Sequence, residues 1–231
     1  MRDLARAREQ MVEKQIARRG VRDPLVLKAM GEVPREDFVS RALRDFAYDD
    51  APLPIGEDQT ISQPYIVGLM IQTAAVKPGD KVLEVGAGSG YAAAALSRIV
   101  ARVHAIERRP ALAEAARKRL GELGYDNVDL RVGDGAQGLD EAAPFDAILV
   151  SAGAACVPPR LKEQLVVGGR LVIPVGPQGT GQRLLRITRR SADAYETEDF
   201  GAVSFVPLIA PGDEGGKGKS ERSASEGCPG K

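Results

Sequence analysis

Apolar residues recur along this chain with two periods, and the places where the period changes divide it into elements. Over residues 4–19, Leu4, Met11, Val12 and Ile16 fall on one helical face with charges opposite, which predicts an amphipathic helix. Asp23-Pro24 reads as an N-cap with proline at the first helical position, and Gly31 as the stop of that second helix. Residues 32–62 carry Pro34, Pro52, Pro54 and Gly56 with no sustained period, so loops and short pieces are expected. Gln63 to Val76 returns to helical spacing and ends at the turn Lys77-Pro78-Gly79-Asp80.

From Lys81 onward short apolar runs alternate with helical stretches. Strands are predicted at Lys81–Val85, Arg102–Ile106, Val128–Val132, Ala147–Val150 and, after the Gly168-Gly169 turn, Arg170–Val175. Helices are predicted at Tyr91–Val100, at Ala111–Leu123 closed by Gly124, and near Arg160–Leu165. That rhythm implies a parallel sheet with helices on both faces. Leu184–Thr188 and Ala202–Leu208 read as two further strands on an antiparallel edge. The expected fold class is α/β: a doubly wound, mostly parallel seven-stranded sheet with N-terminal helices.

Composition narrows the picture. With 231 residues, 43% of them hydrophobic, the chain suits one domain over residues 1–211. Residues 212–231 are Gly, Ser, Lys and Glu with almost nothing to bury, so a disordered tail containing Cys228 is expected. Lys+Arg and Asp+Glu are both 32, which leaves no long-range field for a polyanion, and no nucleic-acid partner is expected. No apolar run is long enough for a membrane span, and no secretion signal is visible at the start. Two distant cysteines and one histidine argue against a zinc site and for a reducing, cytoplasmic setting. The expected oligomeric state is a monomer.

The candidate chemistry begins at Val82-Leu83-Glu84-Val85-Gly86-Ala87-Gly88-Ser89-Gly90-Tyr91, where a strand turns into a helix. Glycines there let the backbone bend sharply and approach a ligand closely. Glu107, about twenty residues on at the end of the next strand, is placed to accept from both hydroxyls of a ribose. Dinucleotide loops read G-x-G-x-x-G; this one reads G-x-G-x-G and has Glu84 beside it. A carboxylate would repel a pyrophosphate but suits an ammonium and a sulfonium, the charge pattern of S-adenosylmethionine. Gly133-Asp134-Gly135 ends the third strand on the same sheet edge, where Asp134 can accept from an adenine amino group. Glycines for strand–helix packing, and an ordinary turn at 133–135, are the plainer alternatives.

Around this loop the chain resembles the protein-L-isoaspartate O-methyltransferase family. The resemblance rests on Leu53-Pro54-Ile55-Gly56, Gln59-Thr60-Ile61-Ser62-Gln63-Pro64-Tyr65-Ile66-Val67, Val82–Tyr91, Gly133-Asp134-Gly135, Pro144–Ile148, Gly168–Gly176 and Phe205-Val206-Pro207-Leu208. Thr60-Ile61-Ser62 and Val206-Pro207-Leu208 are its most specific parts. Asp58 stands where the family often has glycine, Gly68 where alanine is common, and Cys156 where proline often stands.

The resemblance implies methyl transfer from S-adenosylmethionine to the α-carboxylate of L-isoaspartyl residues in damaged proteins, which starts repair through a succinimide. Residues 1–78 would then supply N-terminal helices and a substrate-site segment, and 79–211 the cofactor-binding core. It implies that Thr60, Ile61, Glu84, Gly86, Ala87, Gly88, Gly90, Tyr91, Glu107, Arg108, Asp134 and Gly135 border the cofactor. Ser62 would be the active-site serine, with Thr60, Ile61, Val206 and Pro207 beside the substrate, the last two by pairing with its chain. Ser62 also stands before a helix beginning Gln63-Pro64, so an N-cap is its alternative. His104 reads as a packed histidine, Cys156 as an inert small residue, and Arg108-Arg109 and Arg189-Arg190 as largely solvated charge. Two other functions share the cofactor half: a methyltransferase for a small molecule or RNA, and a nicotinamide-dependent oxidoreductase or non-catalytic nucleotide-binding module.

Overall fold

The computed structural model describes residues 3–177 and 181–208. The expected tail, Cys228 with it, lies outside the described residues.

Asp3 accepts from the Arg6 amide and starts α1 (Leu4–Gln10), but the predicted α-helix does not run to residue 19. It widens to π-helical winding over Met11–Ile16 and tightens to a 3-10 turn at Ala17–Arg19, which Gly20 ends at φ 101°. The wider turn places Met11 and Ile16, five residues apart, on one buried line. Asp23 caps α2 (Pro24–Glu32) through the Leu25 and Val26 amides. That helix runs through Gly31; Val33 stops it, because the residue before Pro34 is held extended.

The irregular stretch contains a hairpin that periodicity does not reveal. β1 (Leu53–Gly56) pairs antiparallel with β2 (Gln59–Ile61) across Glu57 and Asp58. Both turn residues have positive φ, 52° and 55°, the I′ pattern that normally selects Asn-Gly. α3 (Pro64–Ala74) follows directly.

The core is β3 (Lys81–Val85), α4 (Tyr91–Ser97), β4 (Arg102–Glu107), α5 (Pro110–Glu122), β5 (Val128–Val132), β6 (Phe145–Val150), α6 (Pro159–Glu163), β7 (Leu165–Val175), β8 (Gln182–Arg189) and β9 (Tyr195–Val203). α4 stops three residues early, where the Ser97 hydroxyl takes the Ala94 carbonyl. The seven-stranded sheet runs β5-β4-β3-β6-β7-β8-β9, parallel from β5 to β7 and antiparallel beyond. Successive connections leave β3 in opposite directions, so the β3–β6 boundary is the switch point where α/β folds bind ligands. Val82, Ala147, Leu149 and Val172 face one core; Leu83, Val85, Ile148 and Leu171 face the other.

Two strands differ from expectation. β7 starts at Leu165, and Gly168 (φ 84°) lets Gly168-Gly169 bulge within it rather than precede it. The last strand is Tyr195–Val203, and residues 204–208 leave the sheet. Charged residues on both of its faces pair with β8, Arg183 with Asp199 at 2.8 Å and Arg186 with Glu198 at 2.6 Å, so no apolar run marks it. His104 packs as expected: its ring lies edge-on to Phe145, 5.8 Å between centroids, and burial lowers its pKa. Arg189 is not simply solvated; its guanidinium holds the Glu163 and Leu165 carbonyls, while Arg190 pairs with Glu196.

Candidate active site

Four loops leave the carboxyl ends of β3, β4, β5 and β6 on one edge of the sheet, and the β1–β2 hairpin lies against them. Together they enclose two adjoining spaces. An inner chamber of about 40 Å³ is bordered by Thr60, Ile61, Ser62, Glu84, Ala87 and Tyr91. An outer cleft of about 430 Å³ is bordered by Glu107, Arg108, Gly135, Val206 and Pro207. Thr60, Gly86 and Gly88 border both, so the hairpin and the glycine loop form the shared wall.

The glycine loop spends its amides internally. Gly86 and Ala87 donate to the Ile106 carbonyl, Gly90 to Ala87, and Gly88 to Glu107 Oε2 at 2.8 Å. A phosphate-binding loop instead aims its N–H groups at the ligand. Gly88 (φ 53°) passes under the hairpin, where a Cβ would stand 3.1 Å from Ile55. Gly90 borders neither space; its missing Cβ admits Leu120 of α5, so it serves packing, the plainer alternative at that one position. Tyr91 keeps only part of its expected place, for its hydroxyl turns into the core toward Met30 Sδ and its ring stacks edge-on with Phe38.

Three carboxylates surround the loop. Glu107 Oε1 accepts from the Arg109 amide and Oε2 from Gly88, which ties the strand end to the loop and leaves further lone pairs on both oxygens. Glu84 is only 1% exposed. Its Oε1 lies 3.5 Å from the Ser151 hydroxyl, and its Oε2 is buried with no partner among the described residues. Burial, and then repulsion from Glu107, push its pKa up to about 8 against the smaller pulls of the Ser151 hydroxyl and the Ala93 amide. Asp134 accepts from the Ala136 amide with Oδ1 and leaves Oδ2 buried and unpartnered among the described residues. Next to it Gly135 leaves no room for a side chain, since a Cβ would fall 2.2 Å from Val85.

Ser62 is not the N-cap of α3. Gln63 is, and it makes no side-chain cap, leaving the Ser62 hydroxyl without a partner among the described residues on the wall of the inner chamber. Val206 and Pro207 line the outer cleft, but their segment already pairs within the fold. Gly153 donates to the Val206 carbonyl at 2.8 Å and accepts from the Leu208 amide at 2.7 Å. Sequence reasoning missed Ser151, which borders both spaces, and Arg109, which reaches Glu57 at the hairpin tip at 3.5 Å and is thus more than solvated charge. Ser151 directly follows β6 at the switch point, a position the strand order would have flagged.

Among the described residues no three His, Cys, Asp or Glu side chains are placed to hold a metal ion, and no helix is long and apolar enough to cross a membrane.

Comparison with known proteins agrees with this arrangement. Residues 6–212 match the family model described as protein-L-isoaspartate(D-aspartate) O-methyltransferase. The chain is 63% identical over 207 residues to a protein-L-isoaspartate O-methyltransferase of Methylorubrum extorquens, covering 90% of each chain. It is 56% identical to one of Protochlamydia amoebophila, over 86% of this chain and 95% of the relative. Among solved structures, a protein-L-isoaspartate O-methyltransferase superposes with a TM-score of 0.80 at 29% identity, covering 88% of this chain and 66% of that longer one. A Plasmodium falciparum structure described as this enzyme, in complex with S-adenosyl-L-homocysteine, gives 0.76 at 26% identity over 87% and 98%. The family match spans nearly the whole described chain, hairpin, glycine loop and carboxylates included, and on that ground the chain belongs to the protein-L-isoaspartate O-methyltransferase family, the α/β methyltransferases that use S-adenosylmethionine.

Proposed function

We propose that this chain methylates the α-carboxylate of L-isoaspartyl residues in proteins, with Glu84, Glu107 and Asp134 holding S-adenosylmethionine and Ser62 holding the acceptor. The observation that carries the reading is the pair of orphaned buried oxygens, Glu84 Oε2 on the wall of the inner chamber and Asp134 Oδ2 one residue before Gly135 at the outer cleft. A buried acceptor without a donor is costly, and an ammonium and an adenine amino group are the donors that would satisfy these two. The spare lone pairs of Glu107 suit two ribose hydroxyls. The bound cofactor supplies an electrophilic methyl group on a positively charged sulfur.

The residues of the chain then have a limited task. A substrate carboxylate, with an ordinary pKa near 4, is already ionised at neutral pH, so no side chain has to remove a proton. Ser62 donates its hydroxyl hydrogen to that carboxylate, or to the peptide group beside it, and fixes its direction. Thr60 and Ile61 extend the same wall, with Arg108 and Gly135 at the cofactor edge. Excluding water from the inner chamber strips the carboxylate of competing hydrogen bonds, and orientation of the reacting groups is worth roughly 7–11 kcal/mol. The methyl ester closes to a succinimide, which can reopen to normal aspartate.

Family membership sets aside the oxidoreductase and the non-catalytic module. A small-molecule or RNA acceptor remains the competing substrate class. An isoaspartyl peptide and its aspartyl twin, offered with methyl-labelled cofactor, decide the matter: only the isoaspartyl peptide takes label, and equal labelling of both, or of neither, refutes the assignment. The chain is further read as a monomer working in the cytoplasm. Among the described residues the exposed large apolar side chains, Leu25, Phe46, Val132, Val167 and Phe200, sit on separate elements, and light scattering should return a mass near 24.5 kDa.

A further inference from the structure

Beyond β9 the chain leaves the sheet, yet residues 205–208 are held in place from two directions. On one side is the bridge to Gly153, through the Val206 carbonyl and the Leu208 amide. On the other is Gln182, the first residue of β8, a side chain only 2% exposed. Its Oε1 accepts from the Phe205 amide at 2.7 Å, and its Nε2 donates to the Phe205 carbonyl at 3.4 Å. A carboxamide carries the same donor and acceptor as a peptide unit, so this one side chain supplies what a neighbouring strand would have supplied. The two supports are also fitted to each other. A Cβ on Gly153 would fall 2.2 Å from Gln182 Nε2, and Gly153 does not adopt a positive φ, so space rather than backbone conformation demands glycine there.

We infer that Gln182 is a positioning residue for the substrate: with Gly153 it holds residues 205–208 extended along the outer cleft so that they can receive the peptide flanking the isoaspartyl residue. The inference rests on the reading of this segment as part of the substrate wall. It follows from which groups are used and which are left. With Phe205 taken by Gln182 and the Val206 carbonyl and Leu208 amide by Gly153, the Val206 N–H and the Pro207 carbonyl have no partner among the described residues. One donor and one acceptor in sequence, in an extended segment beside Glu107 and Ser151, suit the backbone of an extended peptide. Gln182 borders neither the inner chamber nor the outer cleft, so it acts only through the segment.

The test uses the full chain with Gln182→Ala, Gln182→Met, Gly153→Ala and the double variant Gly153→Ala/Gln182→Ala. Methyl transfer to an isoaspartyl peptide is followed against peptide concentration, S-adenosylhomocysteine affinity by calorimetry, and amide hydrogen exchange over residues 204–208. Gln182→Ala should raise KM for the peptide roughly tenfold, with kcat per folded molecule and S-adenosylhomocysteine affinity within about twofold of the parent, and with faster exchange at Phe205. Gln182→Met, which keeps the volume but not the hydrogen bonds, should behave as the alanine variant; a role in packing alone would restore the parent KM. Gly153→Ala should raise KM similarly, and the double variant should be no worse than Gln182→Ala, because the clash partner is gone. Unchanged exchange with unchanged KM overturns the Gln182 support itself. Faster exchange with unchanged KM overturns the reading of 205–208 as substrate wall, and the inference with it. A KM rise matched by an equal loss of S-adenosylhomocysteine affinity marks general loosening and also overturns it.

Discussion

Glu84 is the residue whose protonation should be visible from outside. Burial first, and Glu107 second, hold its carboxyl at about 8 against an ordinary 4.5. A carboxyl raised in the folded state favours folding while protonated, so that stability is complete below the unfolded value and is lost as pH rises through about 8. The parent chain should therefore lose on the order of 3 kcal/mol relative to Glu84→Gln between about pH 5 and about pH 9, read by denaturant unfolding. On the reading that Glu84 holds the ligand's ammonium, the sign reverses for binding: affinity for S-adenosylmethionine should rise from about pH 5 toward about pH 8, above which the ligand's own α-ammonium loses its charge, and Glu84→Gln should lack that rise. Glu107→Ala should weaken cofactor binding by roughly 1.5–3 kcal/mol; unchanged affinity in calorimetry would show that the ribose is held elsewhere. Ser62→Ala should lower turnover per folded molecule while leaving the melting temperature unmoved, since Gln63 and not Ser62 caps α3. The types and spacing of these residues were legible in the sequence, because a carboxylate before a glycine loop and another at the next strand end are fixed by the chain path. Ser151 and Arg109 were not, because their roles arise only when β6 and the hairpin come beside the loop.

At the scale of elements, the central parallel strands β3 and β6 were readable because both faces are buried and mostly apolar, whereas the edge strand β5 was marked by the alternation Val128-Asp129-Leu130-Arg131-Val132. The β1–β2 hairpin escaped for a physical reason: its turn is Glu57-Asp58, two side-chain residues in a left-handed conformation that pattern reading reserves for Asn-Gly. Asp58→Gly should accordingly stabilise the chain by about 0.5–1 kcal/mol, the left-handed strain relieved less the added freedom of the unfolded glycine. Thermal unfolding checks this, and a lower melting temperature would mean that the Asp58 side chain makes up for its backbone. β9 escaped for another reason, since ion pairs with β8 stand on both of its faces in place of apolar burial. The first helix was placed correctly but wound wrongly, because a π-turn shows only in which side chains end up buried together.

For the molecule as a whole, the two apolar layers share one sheet, so the described residues should melt as a single unit. S-adenosylhomocysteine at a hundred times its Kd should add about 2.7 kcal/mol, a rise in melting temperature of roughly 5–10 °C for a domain of this size. A scan with and without the ligand tests both statements. Sequence reading reached the layered architecture and the edge where the loops gather; it could not reach the meeting of the hairpin, from before the sheet, with residues 205–208, from after it. That meeting has a consequence for biosynthesis. A ribosome finishes the loops of the candidate cofactor site long before it finishes the last strands, and because Leu184 and Ile187 of β8 belong to the two apolar layers, a chain ending ahead of Gln182 should lose the folded loops together with its peptide-facing rim. Cofactor binding and acceptor recognition should then arrive together, when the last two strands complete the sheet.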